Sequence, residues 1–457
     1  MGWYDIEGDK FNCEWYGDKK NCEFYGDDYD NFGTTANSAC CVCGGGVTNG
    51  SPSEIPSLSP SVTMTPTASN VPSAQPVPAV TLSMATGYTV SCASEDLTHT
   101  MKCWGYNKEG ELGTGNRDDL TNNGYLPLIA STITPGRYPK QFGAGDYYMC
   151  ALLEHDDGSN DNQLVCAGRN ENGVIGGGCA RGCVHPAISP VPVALDSDDV
   201  VKDLVVGPKH SCVILTNNEL KCWGYNGHGQ MHVGGYYHSS PVKIDFGERH
   251  VISVAVGEAT TCVILDDKSV ECFGSNRYGQ LGNGSLGPEI VYDRTTPLNL
   301  GTKEIVQIAV GHESTCFRYI DGSLKCTGRY VDGTSSFSSV PVDIDLKGKS
   351  VAHVTAGRNH VCTLNTDTTV YCWGHSSYGK LGLGRWTNTW SPDTVVGLSD
   401  PNAEEYAVDI KAGYMHTCAI LNTNRIKCWG RRHFIGFGHK NDGDATTPAY
   451  MDLGTLL

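Results

Sequence analysis

The chain has 457 residues, of which 56 are glycine and 21 are cysteine, and it carries a formal net charge of −17 with only 18% charged residues. This acidic balance argues against nucleic acid as a partner, because binding through phosphates requires a basic face. No apolar run reaches the 18 residues of a membrane span, and a hydrophobic content of 39% excludes a wholly disordered chain.

Residues 1–46 are predicted to form a small cysteine-rich module. They contain five cysteines, Cys13, Cys22, Cys40, Cys41 and Cys43, and nine acidic residues against three lysines. So short a segment buries little core without crosslinks. The odd count leaves one cysteine partner elsewhere or upstream, and the pairing stays open. Because Met1-Gly2-Trp3 does not resemble a signal peptide, we expect either a removed leader or an incomplete N-terminus.

Residues 47–80 are rich in Ser, Thr and Pro and carry one charge, Glu54, which is typical of a semi-extended linker. Residues 81–457 then repeat seven times, with a period of about 54 residues. Each unit has a glycine five positions before a cysteine. These marker glycines are Gly87, Gly145, Gly207, Gly257, Gly311, Gly357 and Gly413.

Fourteen cysteines fall into seven pairs, five of them ten residues apart, with turn residues between the partners. This spacing is typical of a β-hairpin in which the two cysteines face each other across the strands. We predict a disulfide in each hairpin, with a metal site or buried free thiols as the alternatives. The predicted pairs are Cys92 with Cys103, Cys150 with Cys166, Cys212 with Cys222, Cys262 with Cys272, Cys316 with Cys326, Cys362 with Cys372, and Cys418 with Cys428. Disulfides favour an extracellular or cell-surface location.

A β-rich run precedes each marker glycine, and a proline-led segment closes each unit, as at Pro192 and Pro241. Four short strands repeated seven times indicate an all-β fold, a seven-bladed β-propeller. We expect Ala449–Leu453 to close the ring by adding a strand to the first blade.

The repeated sequence motif reads Gly-x-x-His-x-Cys, followed by Cys-Trp-Gly-x-Asn-x-x-Gly-Gln-Leu-Gly. This motif resembles the regulator of chromosome condensation repeat. The tryptophans of this motif are Trp104, Trp223, Trp373 and Trp429, which we expect to pack between blades. The resemblance covers residues 81–457 and implies a seven-bladed propeller. Because all seven units carry the cysteine pair, the chain resembles a secreted branch of the family, similar in architecture to β-lactamase inhibitor protein II. Units 3, 5 and 7 depart from the turn motif, at Met231-His232, Thr334-Ser335-Ser336 and Ile435.

Unit 2 carries two inserted loops, and inserted loops on a rigid scaffold are where binding sites tend to form. The candidate partner-binding residues are Glu154, His155, Asp156, Asp157, Asn160, Asp161 and Arg181. Cys179 and Cys183 are predicted to form a small disulfide in the second loop. The alternatives are a tolerated surface insertion or a calcium site, although the Asp-x-Asp-x-Asp-Gly order of a calcium loop is missing.

Two further features have competing interpretations. The first is a position of the repeat shared by His210, His360 and His416. One interpretation is a ring of titrating groups, and the other is structural histidines that are hydrogen-bonded within each blade. Asn283-Gly284-Ser285 is a glycosylation sequon in a predicted turn, which assigns Asn283 as a glycosylation site.

No catalytic motif is present, and we predict neither enzymatic activity nor a cofactor nor a metal site. The favoured function is a monomeric, secreted or cell-surface binding protein that presents propeller loops to a protein or carbohydrate partner. The alternative that the resemblance implies is a guanine nucleotide exchange factor for a small GTPase, with residues 153–163 as the wedge loop. A third hypothesis is a surface or matrix component anchored by residues 1–46.

Overall fold

The computed structural model describes four short strands within residues 4–35 and most of the repeat region. The described residues of the repeat region are 82–95, 100–117, 126–127, 136–155, 157, 162–178, 185–287, 298–331, 333–398, 405–432, 435 and 443–451. The chain divides into two compact units, Met1–Gln75 and Pro76–Leu457. In the first, Tyr4–Asp5 pairs with Gly8–Asn12, and Asp30–Asn31 pairs with Thr34–Thr35. Its five cysteines lie outside the described residues.

The second unit is an all-β, seven-bladed propeller, as predicted, in which each blade is an antiparallel sheet with its strands in chain order. The inner strands are Leu82–Thr86, Arg137–Ala144, Val201–Val206, Val251–Val256, Ile305–Val310, Val351–Ala356 and Ala407–Ala412. The second strands are Val90–Glu95, Tyr148–His155, His210–Leu215, Thr260–Leu265, Ser314–Tyr319, His360–Asn365 and His416–Leu421. The third strands are Thr100–Gly105, Gln163–Gly168, Leu220–Tyr225, Val270–Gly274, Leu324–Arg329, Val370–Gly374 and Ile426–Gly430.

Six outer strands complete the blades: Leu126–Pro127, Ala187–Pro192, Tyr237–Ile244, Phe337–Asp343, Thr389–Thr394 and Ala445–Tyr450. The segment with Pro297, predicted as the outer strand of blade 4, lies outside the described residues. Two short 3-10 turns, Glu171–Gly173 and Ser377–Gly379, follow third strands.

The core lies between the blades. Within the described part of the chain, apolar side chains form seven clusters, each shared by two adjacent blades. Second strands such as His210–Leu215 are buried at all six positions because neighbouring blades cover both faces. Inner strands such as Val201–Val206 alternate in burial instead. This layout explains why polar residues of the second strands, such as His210 and Ser211, are buried together with the apolar ones.

Seven disulfides lie inside these clusters, one in each blade, and in every case the two cysteines are directly paired across the second and third strands. The bonded pairs are the predicted ones: Cys92 with Cys103, Cys150 with Cys166, Cys212 with Cys222, Cys262 with Cys272, Cys316 with Cys326, Cys362 with Cys372, and Cys418 with Cys428. The further predicted pair, Cys179 with Cys183, lies outside the described residues. Each of the seven disulfides crosslinks two neighbouring strands of one hairpin and leaves blade-to-blade packing to apolar contacts and hydrogen bonds.

The marker glycines form a ring around the propeller axis. A Cβ atom on Gly311 would lie 2.5 Å from the carbonyl oxygen of Gly357, the marker glycine of the next blade. The same approach recurs from Gly357 to the oxygen of Gly413, at 2.3 Å, and from Gly413 to that of Gly87, at 2.7 Å. Glycine recurs here because adjacent blades meet with no room for a side chain.

The expected ring closure was wrong. Ala445–Tyr450 is the outer strand of blade 7, paired with Ile426–Gly430, and blade 1 has four strands of its own. The ring closes through side chains and loops instead. His416 is bonded to Ser91 at 2.8 Å, and the Tyr414 N–H donates to the Gly87 carbonyl at 3.2 Å. The outer strand of blade 7 belongs to that blade because its pairing partner, the third strand, lies in the same repeat unit.

The outer strands also differ in detail from the prediction, because proline lies within them rather than leading them. In blade 3, Cys222 pairs with Val242 and Gly224 pairs with His238. Between these pairs the third strand has one residue, whereas the outer strand has three, of which Pro241 is the last. The same bulge recurs in blades 2, 5, 6 and 7, where its last residue is Pro190, Pro341, Pro392 or Pro448. Proline, which has no N–H to donate, is suited to a bulge on an edge strand.

Candidate functional site

The residue after each marker glycine lines one cavity on the propeller axis. We call these seven positions the rim: Tyr88, Asp146, Pro208, Glu258, His312, Arg358 and Tyr414. The cavity has a volume of about 140 Å³, and the ends of the inner strands form its walls. Backbone bonds to the following blade hold rim residues in place, as from the Asp146 N–H to the Pro208 carbonyl at 2.8 Å. The fold therefore brings seven distant residues around one opening.

Two carboxylates of the rim keep buried oxygens without hydrogen-bond partners. Glu258 Oε1 accepts a hydrogen bond from Lys209 at 2.7 Å, whereas Glu258 Oε2 and Asp146 Oδ1 are buried and accept none. Burial, with the nearby charge of Glu258, raises the pKa of Asp146 to about 7. Burial also opposes ionisation of Glu258, yet His312, Lys209 and Arg358 hold its pKa below the usual value. Glu258 is thus ionised at neutral pH, while Asp146 titrates there.

The nitrogen groups of the rim, His312 and Arg358, lie on blades 5 and 6. His312 Nε2 is 3.6 Å from Glu258 Oε2; burial lowers the pKa of His312, and the charges of Glu258 and Glu313 oppose that shift. The Arg358 guanidinium lies 4.3 Å from the centroid of the Tyr414 ring. Arg358 Nε is buried without a hydrogen-bond partner, and no described carboxylate lies within ion-pair distance of this arginine. Arg358, Asp146 and Glu258, each partly buried, therefore face the cavity with unused hydrogen-bonding capacity on buried atoms.

Three tyrosines form an aromatic arc on blades 7, 1 and 2. The Tyr88 ring packs edge-on against Tyr414, with centroids 4.1 Å apart, and lies 5.2 Å from Tyr147. Burial and the neighbouring Tyr88 raise the pKa of Tyr147 to about 12, so it stays neutral at physiological pH. The arc gives the cavity an apolar side next to its charged side, a combination typical of small-ligand sites.

The opposite face of the propeller, which we call the hairpin face, consists of the turns between second and third strands. In the described turns of blades 4 and 5, an aspartate side chain accepts a bond within the turn. Asp267 accepts the Ser269 N–H at 2.9 Å, and Asp321 accepts the Ser323 N–H at 3.0 Å. The same kind of bond recurs at Asn217 in blade 3 and Asp367 in blade 6. At the rim, by contrast, every blade except those with Tyr88 and Tyr414 presents a different residue. The rim face is therefore the chemically distinctive one.

The three histidines of the shared repeat position are structural, as one interpretation held, but they bond to the next blade and not within their own blade as that interpretation expected. Each is buried and bonds through Nε2 to a hydroxyl of the next blade: His210 to Thr261 at 2.7 Å, His360 to Thr417 at 2.9 Å and His416 to Ser91. Thr261 donates its own proton to the Gln230 carbonyl, which assigns the Nε2–H tautomer to His210. Burial lowers the pKa of His210 and of His416 to about 3, so both are neutral.

The predicted partner-binding loops of blade 2 are described only in part. Glu154 accepts hydrogen bonds from Lys140 at 2.7 Å and from Tyr138 at 3.1 Å, and His155 lies 3.0 Å from Asp157. The other candidates, Asp156, Asn160, Asp161 and Arg181, lie outside the described residues. The first loop enters the third strand Gln163–Gly168 and the second leaves it, so they join opposite ends of that strand. That these residues bind a partner stays a prediction.

The tryptophans of the repeat pack between blades, as predicted. All four are buried, and Trp223 Nε1 donates to the Val174 carbonyl of the preceding blade at 2.9 Å. Units 3 and 7 keep the turn although their sequences depart from the motif. Met231 and Ile435 are fully buried, and His232 adopts a φ of 51° where other units have glycine.

The predicted glycosylation site, Asn283, is exposed, and its Oδ1 lies 2.8 Å from Ser285 Oγ. Its glycosylation stays a prediction.

The rim residues were not identified as a site from the sequence, although their positions follow a recognisable signal. In an alignment of the seven units, the two positions after the invariant marker glycine vary most, and the first of them is the rim position. No group of three metal-ligating side chains comes together within the described ranges. Those ranges also contain no helix with the length and apolar character needed to cross a membrane.

Comparison with known proteins identifies the repeat. Two family models of the regulator of chromosome condensation (RCC1) repeat match the chain. One matches residues 201–230, 251–280 and 351–380, and the other matches residues 270–318 and 367–420.

The ultraviolet-B receptor UVR8 of Arabidopsis thaliana is 23% identical over 339 residues, covering 72% of this chain and 60% of the receptor. An RCC1-like G exchanging factor-like protein of Mus musculus is 29% identical over 379 residues, covering 79% of this chain and 70% of that protein. The crystal structure of Kap60 bound to yeast RCC1 (Prp20) contains a similar fold, with a TM-score of 0.61, 20% identity and coverage of 72% of this chain and 78% of that one. The chain thus spans less than two thirds of the length of the receptor. Because its identity to the solved structure is only 20%, that similarity supports a shared fold and no shared function.

Proposed function

Because the chain is a propeller of regulator of chromosome condensation repeats, we propose that it is a secreted or cell-surface binding protein whose rim face contacts a protein partner. One observation carries the proposal. The rim face gathers tyrosines and charged groups with unbonded buried atoms around a cavity, whereas in the described turns of blades 4 and 5 on the hairpin face an aspartate is already bonded within the turn. Tyrosine and arginine are enriched among the residues that dominate protein interfaces.

The seven disulfides support the extracellular part of the proposal, because disulfides persist in oxidising compartments and are rare in the cytosol. Protein binding also has a precedent among similar folds, since the yeast propeller was crystallised with Kap60 bound. A carbohydrate partner is an alternative that the same experiment covers. The proposal assigns no catalytic role to the chain.

The binding test uses the full-length protein against a panel of extracellular domains and glycans. Replacing Tyr88 and Tyr414 with alanine removes two of the three tyrosine rings of the aromatic arc. The matched control is Asp266→Ala with Thr366→Ala, two exposed residues at the same turn position of the hairpin face. Binding that is lost in the rim variant and kept in the control supports the proposal. Binding that is lost only in the hairpin-face control overturns it.

The compartment is tested separately in protein from its natural source. Thiols are alkylated before lysis, and peptides are then mapped without reduction. We expect the seven cross-strand pairs to be recovered as disulfides. Alkylated thiols at Cys212 and Cys222 would contradict an extracellular location.

Guanine nucleotide exchange on a small GTPase is the second candidate function, because the mouse relative is named an RCC1-like G exchanging factor-like protein. Residues 153–163, the proposed wedge loop, connect the second and third strands of blade 2 and so belong to the hairpin face. The test is the rate of labelled nucleotide release from a panel of small GTPases. Acceleration by the wild-type chain that disappears when 154–162 are shortened to a tight turn would favour exchange over the first proposal.

A further inference from the structure

The rim cavity combines unsatisfied acidic and basic groups, which restricts the ligand it can take. Asp146 Oδ1 and Glu258 Oε2 are buried acceptors without donors, and Arg358 Nε is a buried donor without an acceptor. Leaving such buried groups unpaired is unfavourable, and more so when they are charged. A ligand that supplies both a donor cation and an acceptor anion would satisfy all three atoms.

We propose that the rim cavity binds a small zwitterion, a free α-amino acid, with its ammonium group at Asp146 and Glu258 and its carboxylate at Arg358. Asp146 and Arg358 lie on blades 2 and 6, and both line the same cavity, so one molecule can contact both. This inference concerns a small ligand and stands independently of the protein partner proposed above.

The balance of charge favours a zwitterion over a simple cation or anion. Lys209 bonds to Glu258 at 2.7 Å and occupies Oε1 of that carboxylate. Arg358 offsets the charge of the remaining carboxylate, so the ionised site has two acids and two bases and is close to neutral. A ligand with one charge would leave a net charge in a partly buried site, whereas a zwitterion adds none.

The size and the walls of the cavity limit the ligand further. A volume of about 140 Å³ is small beside the roughly 300–1,000 Å³ of sites for drug-sized molecules, so only a few heavy atoms fit. Val206, Val256, Val310 and the rings of Tyr88 and Tyr414 surround the charged groups. Glycine and alanine match this combination of two charged ends and a small apolar body.

The test is calorimetric titration of the full-length, oxidised protein with glycine and with alanine. N-acetylglycine, which lacks the ammonium, and glycinamide, which lacks the carboxylate, serve as ligand controls. We expect saturable binding of the two amino acids and at least tenfold weaker binding of both controls, since each loses a charge-assisted contact. Glycinamide or N-acetylglycine binding as tightly as glycine would overturn the proposal, as would the absence of saturable heat with either amino acid.

Variants locate the site. Asp146→Asn and Arg358→Gln are each expected to weaken glycine binding at least tenfold. Asp245→Asn and Arg385→Gln, exposed residues away from the cavity, are expected to leave it unchanged. Unchanged binding in both rim variants would overturn the assignment. Should either rim variant fail to fold, the ligand controls on the wild-type protein still decide the question.

A pH series gives an independent readout. The charged groups that face Asp146 are Glu258, Lys209, Arg358 and Arg169, and the titratable tyrosines near it are Tyr147, Tyr148 and Tyr414. Because Asp146 must be ionised to bind the ammonium, glycine binding should strengthen as pH rises from 6 to 8. This dependence should disappear in Asp146→Asn, and an identical pH profile in the variant would contradict the role of Asp146.

Discussion

At the residue scale, glycine recurs at two positions of each unit, and at each position a side chain would collide with a different part of the backbone. Each marker glycine lies against the carbonyl oxygen of the marker glycine in the adjacent blade, next to the axis. The glycine after Cys-Trp has a positive φ, 108° at Gly224, and a Cβ there would lie 2.7 Å from the Lys209 carbonyl oxygen. The first glycine positions adjacent blades, and the second holds the third strand against the loop that carries the rim.

The marker-glycine ring predicts a large effect from one methyl group. Gly311→Ala places a Cβ 2.5 Å from the Gly357 oxygen, which is backbone and can move only with its blade. We expect the free energy of unfolding to fall by about 1–3 kcal/mol, the usual cost of overpacking. The midpoint of urea denaturation measures this. Gly234→Ala is the control, because nothing lies within 4 Å of the position that its Cβ would take; a loss as large there would contradict the steric explanation.

At the element scale, the hairpin of the second and third strands could be predicted from the sequence because its determinants are local. Cysteine spacing, turn residues and apolar runs all lie within a few residues of one another, as in His210–Leu215 and Leu220–Tyr225. The outer strands were predicted less well, since Pro241 marks a bulge whose register depends on the partner strand.

The hairpin disulfides predict a measurable contribution to stability. Removing one by Cys212→Ala with Cys222→Ala frees a loop closed over a sequence separation of 10 residues in the unfolded chain. We expect a loss of about 2–3 kcal/mol on the loop-entropy estimate. Urea denaturation of oxidised protein measures it, and repeating both titrations after reduction is the control. The difference between variant and wild type should shrink on reduction, and an equal difference in both states would argue against a crosslinking role.

At the scale of the whole molecule, the rim and the ring closure were beyond sequence reasoning because they depend on the curvature of the assembled ring. Asp146 and Arg358 are more than two hundred positions apart, and no local pattern pairs them. The closure was misassigned because the sequence shows that a last strand exists without showing which edge it joins. In the structure, the junction of blade 7 with blade 1 uses the same histidine-to-hydroxyl contact as other junctions, from His416 to Ser91.

Repetition of that junction makes the ring sensitive to acid. His210, His360 and His416 are buried and neutral when folded, with pKa values well below 6.5, but they take up protons in the unfolded chain near that value. The unfolded state therefore binds more protons as pH falls, so stability is complete above about pH 6.5 and declines towards pH 3. At pH 5.5 each histidine should cost roughly 1.4 kcal/mol relative to neutral pH.

Blade 2 provides the variant that tests this, because Tyr148 occupies the histidine position there. Its hydroxyl donates to the Gly207 carbonyl at 2.7 Å and lies 3.0 Å from Ser211 Oγ, and the residue equivalent to Ser211 in blade 1 is Ser91. His416→Tyr should therefore keep the closing contact while removing one titrating group. Thermal midpoints measured from pH 8 to pH 4 should fall less steeply for this variant than for the wild type. His416→Ala should lower the midpoint even at pH 8, since it removes the contact itself. Parallel pH profiles for wild type and His416→Tyr would show that the acid sensitivity arises elsewhere.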